Sequence, residues 1–194
     1  MAMIFDSIRE GDIEAVRAAV REDPGVAAAR DDEGLSAVRA ALYVHKQDVA
    51  DVLLEAKPEL DVFDAAAVGD VDRLTELLDA DGDLVNAYSE DGYTPLHLAS
   101  FFARGPAVRL LLDRGADVGA VSKNDMEVQP LHSAVAANAR EVVAALLLAG
   151  ADVNARQKGG FTPLMAAEQH EKESDMVRLL MDHGAEEAAA TPTD

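Results

Sequence analysis

The chain has 194 residues, no cysteine, and 37 Asp and Glu against 17 Lys and Arg, for a formal charge of −20. The missing cysteine excludes disulfides and thiolate metal sites within this sequence. The charge opposes binding to nucleic acid phosphates and anionic lipid; it favours a partner with a basic surface, or else serves solubility alone. Hydrophobic residues make up 49% of the chain, largely Ala, Val and Leu, which is enough for a continuous helical core. Aromatic residues are only 4%, so the place of each one is informative. The first ten residues lack the basic start and long apolar run of a secretory signal. No stretch reaches the ~18 apolar residues of a membrane span, so the expected compartment is the cytoplasm.

In chain order, residues 4–10 followed by Gly11-Asp12-Ile13-Glu14-Ala15-Val16 predict a first pair of short helices. Gly34-Leu35-Ser36-Ala37-Val38-Arg39-Ala40-Ala41 opens a second pair, which closes on Val52-Leu53-Leu54. Residues 62–68 and Gly69-Asp70-Val71 through Leu78 predict a third. The clearest signal comes next, because Thr94-Pro95-Leu96-His97-Leu98-Ala99 recurs. Its copies are Pro130-Leu131-His132-Ser133-Ala134 and Thr162-Pro163-Leu164-Met165-Ala166. The second half of each unit repeats as well, in Val108-Arg109-Leu110-Leu111-Leu112 with Gly115-Ala116-Asp117-Val118, then residues 142–153, then residues 176–185. The key apolar position falls at Ile4, Val38, Val62, Leu96, Leu131 and Leu164, at spacings of 34, 24, 34, 35 and 33.

A fixed period near 33 residues marks a stacked repeat architecture, in which each unit buries its apolar face against its neighbours. Within a unit, Gly92 suits a positive φ in the turn before the helix. Thr94 suits the N-cap and Pro95 the first helical turn. Leu96, Ala99 and Ser100 face neighbouring helices. Leu111 and Leu147 are expected in the core of the second helices, and Gly115 ends its helix in a left-handed conformation. The 24-residue step lacks about ten residues, so the segment 56–62 is predicted to be a tight helix-to-helix loop at Pro58 with no extended finger. Residues 122–127 are about two residues longer than the pattern, and residues 170–174 about one.

These motifs resemble the ankyrin repeat, strongly over residues 63–185 and weakly over residues 3–62. The resemblance implies an all-α solenoid of about six helix pairs with short extended finger loops. It reads as a single domain over residues 1–187, with units at about 3–30, 33–57, 62–86, 90–120, 124–155 and 157–185 and a frayed tail at 188–194. The protein is expected to be a stand-alone member of that family, and twelve Arg against five Lys, with much Ala and Asp, point to a GC-rich bacterial genome.

The residues offer no catalytic signature and no cofactor motif. There is no Gly-x-Ser-x-Gly elbow, and no Gly-rich loop ends in Lys-Ser or Lys-Thr. His45, His170 and His183 lack metal-ligand spacing, so no metal site is expected. His97 and His132 read as hydrogen-bonding groups at helix starts. The resemblance implies a non-enzymatic module, monomeric alone, that binds a partner protein on a concave face made by the finger tips and the exposed side of each first helix. That surface takes in Leu35, Tyr43, Val44, Lys158, Gln169 and His170. Its expected core is Tyr93, Phe101, Phe102, Met126, Val128 and Phe161, rimmed by Glu90, Asp91 and Asp125, since exposed clustered aromatics mark binding hot spots. A regulatory subunit of one enzyme is the alternative, and a small-molecule-binding or hydrolytic protein on the same scaffold comes third.

Overall fold

The computed structural model describes residues 2–170 and 174–187. Its α-helices follow one another in pairs. They are α1 (Ala2–Glu10) with α2 (Ile13–Glu22), α3 (Ala37–Tyr43) with α4 (Gln47–Glu55), and α5 (Val62–Val68) with α6 (Val71–Ala80). Then come α7 (Pro95–Phe101) with α8 (Gly105–Asp113), α9 (Pro130–Ala136) with α10 (Arg140–Leu148), and α11 (Pro163–His170) with α12 (Asp175–Asp182). The first helices pack on one another from α1 and α3 through α5, α7, α9 and α11. The second helices form an outer layer, α2 on α4, α6 on α8 and α8 on α10. This is the all-α solenoid that the repeats predict. Among the described residues, no helix is long and apolar enough to cross a membrane.

Local sequence sets where several of the first helices start. Ser36 Oγ accepts from the Arg39 N–H at 3.1 Å, and Asp61 Oδ1 from the Asp64 N–H at 2.7 Å. Thr94 caps α7 in the same way, with Pro95 in the first turn. Each such cap contributes about 1 kcal/mol. The caps also correct the third unit by one residue. Asp61 is the counterpart of Thr94, so Phe63 and not Val62 stands where Leu96 does. Val62, in the place of Pro95, is buried all the same.

The core runs through both layers as Ile8, Leu53, Leu74, Leu96, Leu111, Leu131, Leu146, Leu164 and Leu180, all with almost no exposure. Here a second correction enters. Leu147, expected inside, is only half-buried, and Leu146 fills the core. The 35-residue step from Leu96 to Leu131 carries Leu111 onto Leu146, one residue before the expected position. Gly115 does end its helix with positive φ, at 83°.

Among the described residues, four fingers project from the first-helix side. Each is a tight hairpin closed by one backbone hydrogen bond: Asp31 N–H to Leu35 O, Ser89 to Tyr93, Ser122 to Val128, and Gln157 to Phe161. The 122–128 finger is two residues longer than the others, as its sequence predicts. Neighbouring fingers bond directly, with the Lys123 N–H donating to Gly92 O at 2.8 Å and the Lys158 N–H to Met126 O at 3.1 Å. Between α4 and α5 the chain makes only a short loop, residues 56–61, with no finger. A cleft of about 500 Å³ lined by Leu54, Pro58, Leu60, Val68 and Arg73 opens at that step. The extra residue expected within 170–174 and the tail 188–194 lie outside the described residues.

Candidate functional site

The missing finger shapes the site. Helix α5 carries Ala65, Ala66 and Ala67 and contributes no hairpin, so nothing large separates the second unit from the fourth. Side chains of α3 therefore reach across it. The Tyr43 hydroxyl donates to Asp91 Oδ2 at 2.7 Å, and Arg39 Nη1 lies 3.3 Å from Asp91 Oδ1. The Tyr43 ring sits 5.4 Å from Phe102 and 6.2 Å from Phe101, and the two Phe rings meet edge-on at 5.1 Å. Such ring pairs each contribute about 0.5–1.5 kcal/mol beyond the area they bury.

Beneath this bridge lies a buried charge network. Arg39 occupies the third helix position, where the later units have His97 and His132. Asp64 occupies it in the third unit. Their side chains are 2% and 4% exposed, and Arg39 Nε donates to Asp64 Oδ1 at 2.8 Å. Ser36 Oγ donates to the same oxygen at 2.6 Å, and Arg30 links Asp61 and Asp64 from the rim at 2.8 and 3.3 Å. The Arg39 guanidinium also lies 5.7 Å from the Phe63 ring centre. Burial, helped by Asp61, pushes the Asp64 carboxyl up from its ordinary range, while Ser36, Arg39 and Arg30 pull it down. Charges removed from water this far are tolerated only when paired and hydrogen-bonded, as these are.

The bridge forms one wall of an open apolar groove of about 210 Å³ on the finger side of the first helices. Tyr43, Tyr93, Phe101 and Met126 surround it, and the small residues Ala136 and Ala166 leave it room. The Tyr93 hydroxyl reaches the Met126 sulfur at 3.6 Å, across two fingers. A second hollow, of about 280 Å³, lies where the fingers of the second and fourth units meet. Glu33, Leu35, Arg39, Glu90 and Asp91 line it. The Tyr43–Asp91 hydrogen bond separates the two.

The structure distributes the expected residues unevenly. Tyr93, Phe101 and Met126 come together in the groove. Phe102 is half-buried behind Phe101, in the hollow it shares with His45 and Arg104. Phe161 is 40% exposed and stands outside the groove. Val128 also lines the groove but is nearly buried, at 5% exposed, and its carbonyl oxygen lies 2.9 Å from His97 Nε2. Asp91 is only partly exposed, and its carboxylate is engaged by Arg39, Tyr43 and Ser89. Glu90 and Asp125 are exposed, and Asp125 pairs with Lys158 at 3.3 Å. Sequence reasoning misses Arg39, Asp64 and Ala136. The available signal is the Arg and the Asp standing where the fourth and fifth units have His.

His97 and His132 have the structural role expected of them. His97 Nδ1 accepts from the Thr94 hydroxyl at 2.8 Å and from its N–H at 3.3 Å, which leaves Nε2–H to donate to Val128 O. Burial lowers its pKa to about 4 and lowers that of His132 as well, so both rings are neutral at neutral pH. His132 Nδ1 accepts from the Gln129 N–H at 3.2 Å. Among the described residues no group of three or more His, Asp or Glu side chains converges to hold a metal ion.

Known proteins carry the same pattern. A family model described as ankyrin repeats (3 copies) matches residues 62–157 and 123–191. Ankyrin repeat and SAM domain-containing protein 6 of Rattus norvegicus is 32% identical over 127 residues, 65% of this chain and 14% of that protein. Neurogenic locus notch homolog protein 4 of Homo sapiens is 41% identical over 104 residues, 53% of this chain and 5% of that protein. The Neurogenic locus Notch protein of Drosophila melanogaster is 41% identical over 95 residues, 48% of this chain and 3% of that protein. The chain thus spans only a small part of these relatives. All three are animal proteins, so they lend no support to the bacterial origin expected from composition. The recurring helix pairs, the capped helix starts and the family match over most of the chain agree, and the chain belongs to the ankyrin-repeat family.

Proposed function

We propose that this chain is a non-enzymatic interaction module that holds a protein partner with a basic surface on its concave face. Ankyrin repeats are protein–protein interaction modules, and family membership supports that much directly. The observation that carries the finer reading is the open groove between Tyr43, Tyr93, Phe101 and Met126, where scarce aromatic residues gather on the finger side of the first helices. The charge of −20 supports a basic partner, whose approach it would speed.

The test is capture of partners from host extract by the immobilised chain, with cross-linking and mass spectrometry. Phe101→Ala should reduce capture of a specific partner by about tenfold or more, as for a hot-spot anchor. Leu148→Ala should leave capture unchanged, since Leu148 is 83% exposed on the second-helix layer. The reverse pattern would move the footprint to the second helices and refute the proposal. One stoichiometric partner enzyme would identify a dedicated regulatory subunit, and many partners an adaptor.

A further inference from the structure

We infer that the groove and the hollow beside it form a two-part site for one extended cationic peptide segment. A single apolar side chain enters the groove, and an Arg or Lys a few residues away enters the hollow. This inference rests on the concave-face reading above and specifies its occupant.

Three observations carry it. First, the groove has the size of an anchor. Its volume of about 210 Å³ falls below the roughly 300–1,000 Å³ of sites that enclose a small molecule. Its walls are mostly aromatic rings, a thioether and aliphatic groups, with Ser133, Gln157 and two neutral imidazoles as the polar members, which suit a Phe, Leu or Met side chain.

Second, the adjoining hollow is acidic and incompletely neutralised. Arg39 lies within it but is engaged by Asp64 and Asp91. Glu33 and Glu90 are both exposed and make no ion pair among the described residues. A cation placed between them would meet two unpaired carboxylates.

Third, the two parts are contiguous. Asp91 borders the hollow and accepts from the hydroxyl of Tyr43, which borders the groove. One extended segment can therefore cross the Tyr43–Asp91 bond and fill both. A second copy of this chain is a poor occupant, because it brings its own excess of carboxylates to an acidic face.

The probe is a phage-displayed library of random peptides of about twelve residues panned against the whole chain. Enriched peptides are then synthesised and measured by fluorescence anisotropy at about 50 mM and about 500 mM salt. The expected consensus has one Phe, Leu or Met with an Arg or Lys within about four residues, the reach of an extended segment at ~3.3 Å per residue. Ala136 is exposed and borders the groove, so Ala136→Trp fills it with little risk to folding. It should weaken binding about tenfold or more. Glu33→Gln with Glu90→Gln should weaken binding several-fold at low salt and little at high salt. Circular dichroism verifies that both variants are folded.

Acidic peptides, peptides without an apolar anchor, no enrichment, or binding indifferent to Ala136→Trp would each overturn the inference. So would peptide-independent dimerisation through this face. If a Phe101-dependent protein partner is captured while the peptide results are negative, the concave-face reading stands and the two-part peptide site falls.

Discussion

Replacing Arg39 with Met keeps much of the side-chain volume and removes the buried charge. Asp64 is then left 4% exposed without its closest cation, and keeps only Ser36 and the more distant Arg30 at 3.3 Å. Two unit charges about 4 Å apart interact by about 4 kcal/mol at an effective dielectric constant of about 20. Stripping one member from a buried pair costs about 3–5 kcal/mol, because the other charge stays desolvated. Arg39→Met should therefore destabilise the chain by about 3–5 kcal/mol at pH 7. The double variant Arg39→Met, Asp64→Leu should recover most of that loss, to within about 1 kcal/mol of the original chain. Arg30 keeps Asp61 at 2.8 Å, and Asp91, 29% exposed, keeps water, Tyr43 and Ser89.

The sign with pH follows. In Arg39→Met the Asp64 carboxyl is raised further above its unfolded value, so the folded state binds the extra proton. The penalty is full at neutral pH and shrinks as pH falls through the folded pKa. The assay is urea unfolding followed by far-UV circular dichroism and tyrosine fluorescence together, since non-coincident curves reveal one end of a repeat array unfolding first. A loss below about 1 kcal/mol in Arg39→Met, or a double variant no more stable than the single, would refute the reasoning.

Leu146→Ala should cost about 2–5 kcal/mol, and Leu147→Ala, at a half-buried position, clearly less; equal losses in urea unfolding would contradict the register that places Leu146 in the core. His97 has a folded pKa of about 4 against an ordinary 6.5, so the folded state disfavours the proton that the unfolded chain accepts. Its contribution is complete above about pH 6.5 and is lost as pH falls towards 4, by about 3 kcal/mol; an unchanged slope in His97→Gln across that window would exclude it. Gly92→Ala should destabilise by about 2 kcal/mol or more, since φ is +82° and the new Cβ would lie 2.7 Å from the Lys123 carbonyl carbon. Gly115→Ala, with φ +83° and no heavy atom within 4 Å, should cost only about 1 kcal/mol. Comparable thermal melting shifts in the two would show that the clash adds nothing.

By itself, the sequence determined the solenoid, the capped start at Thr94, the tight loop at Pro58 and the longer 122–128 finger. These are properties of short segments. A Thr-Pro pair starts a helix whatever lies beyond it, and a missing stretch of ten residues leaves no chain from which to build a finger. What the missing finger does was decided in three dimensions. Only when α3 and α7 are set on either side of α5 does Tyr43 meet Asp91 and Phe102, residues 48 and 59 positions away in the chain. The sequence marks Asp91 as an exposed rim charge because finger tips are solvated. Packing places Arg39 and the Tyr43 hydroxyl against it and leaves its carboxylate only 29% exposed. Val128 reads as a surface residue because it ends a finger, yet it is only 5% exposed where it lines the groove, and its carbonyl faces His97. Local pattern settles what a residue can be within its own unit. Which side chain stays open to a partner depends on the units beside it, and their approach is set by volumes and charges far apart in the chain.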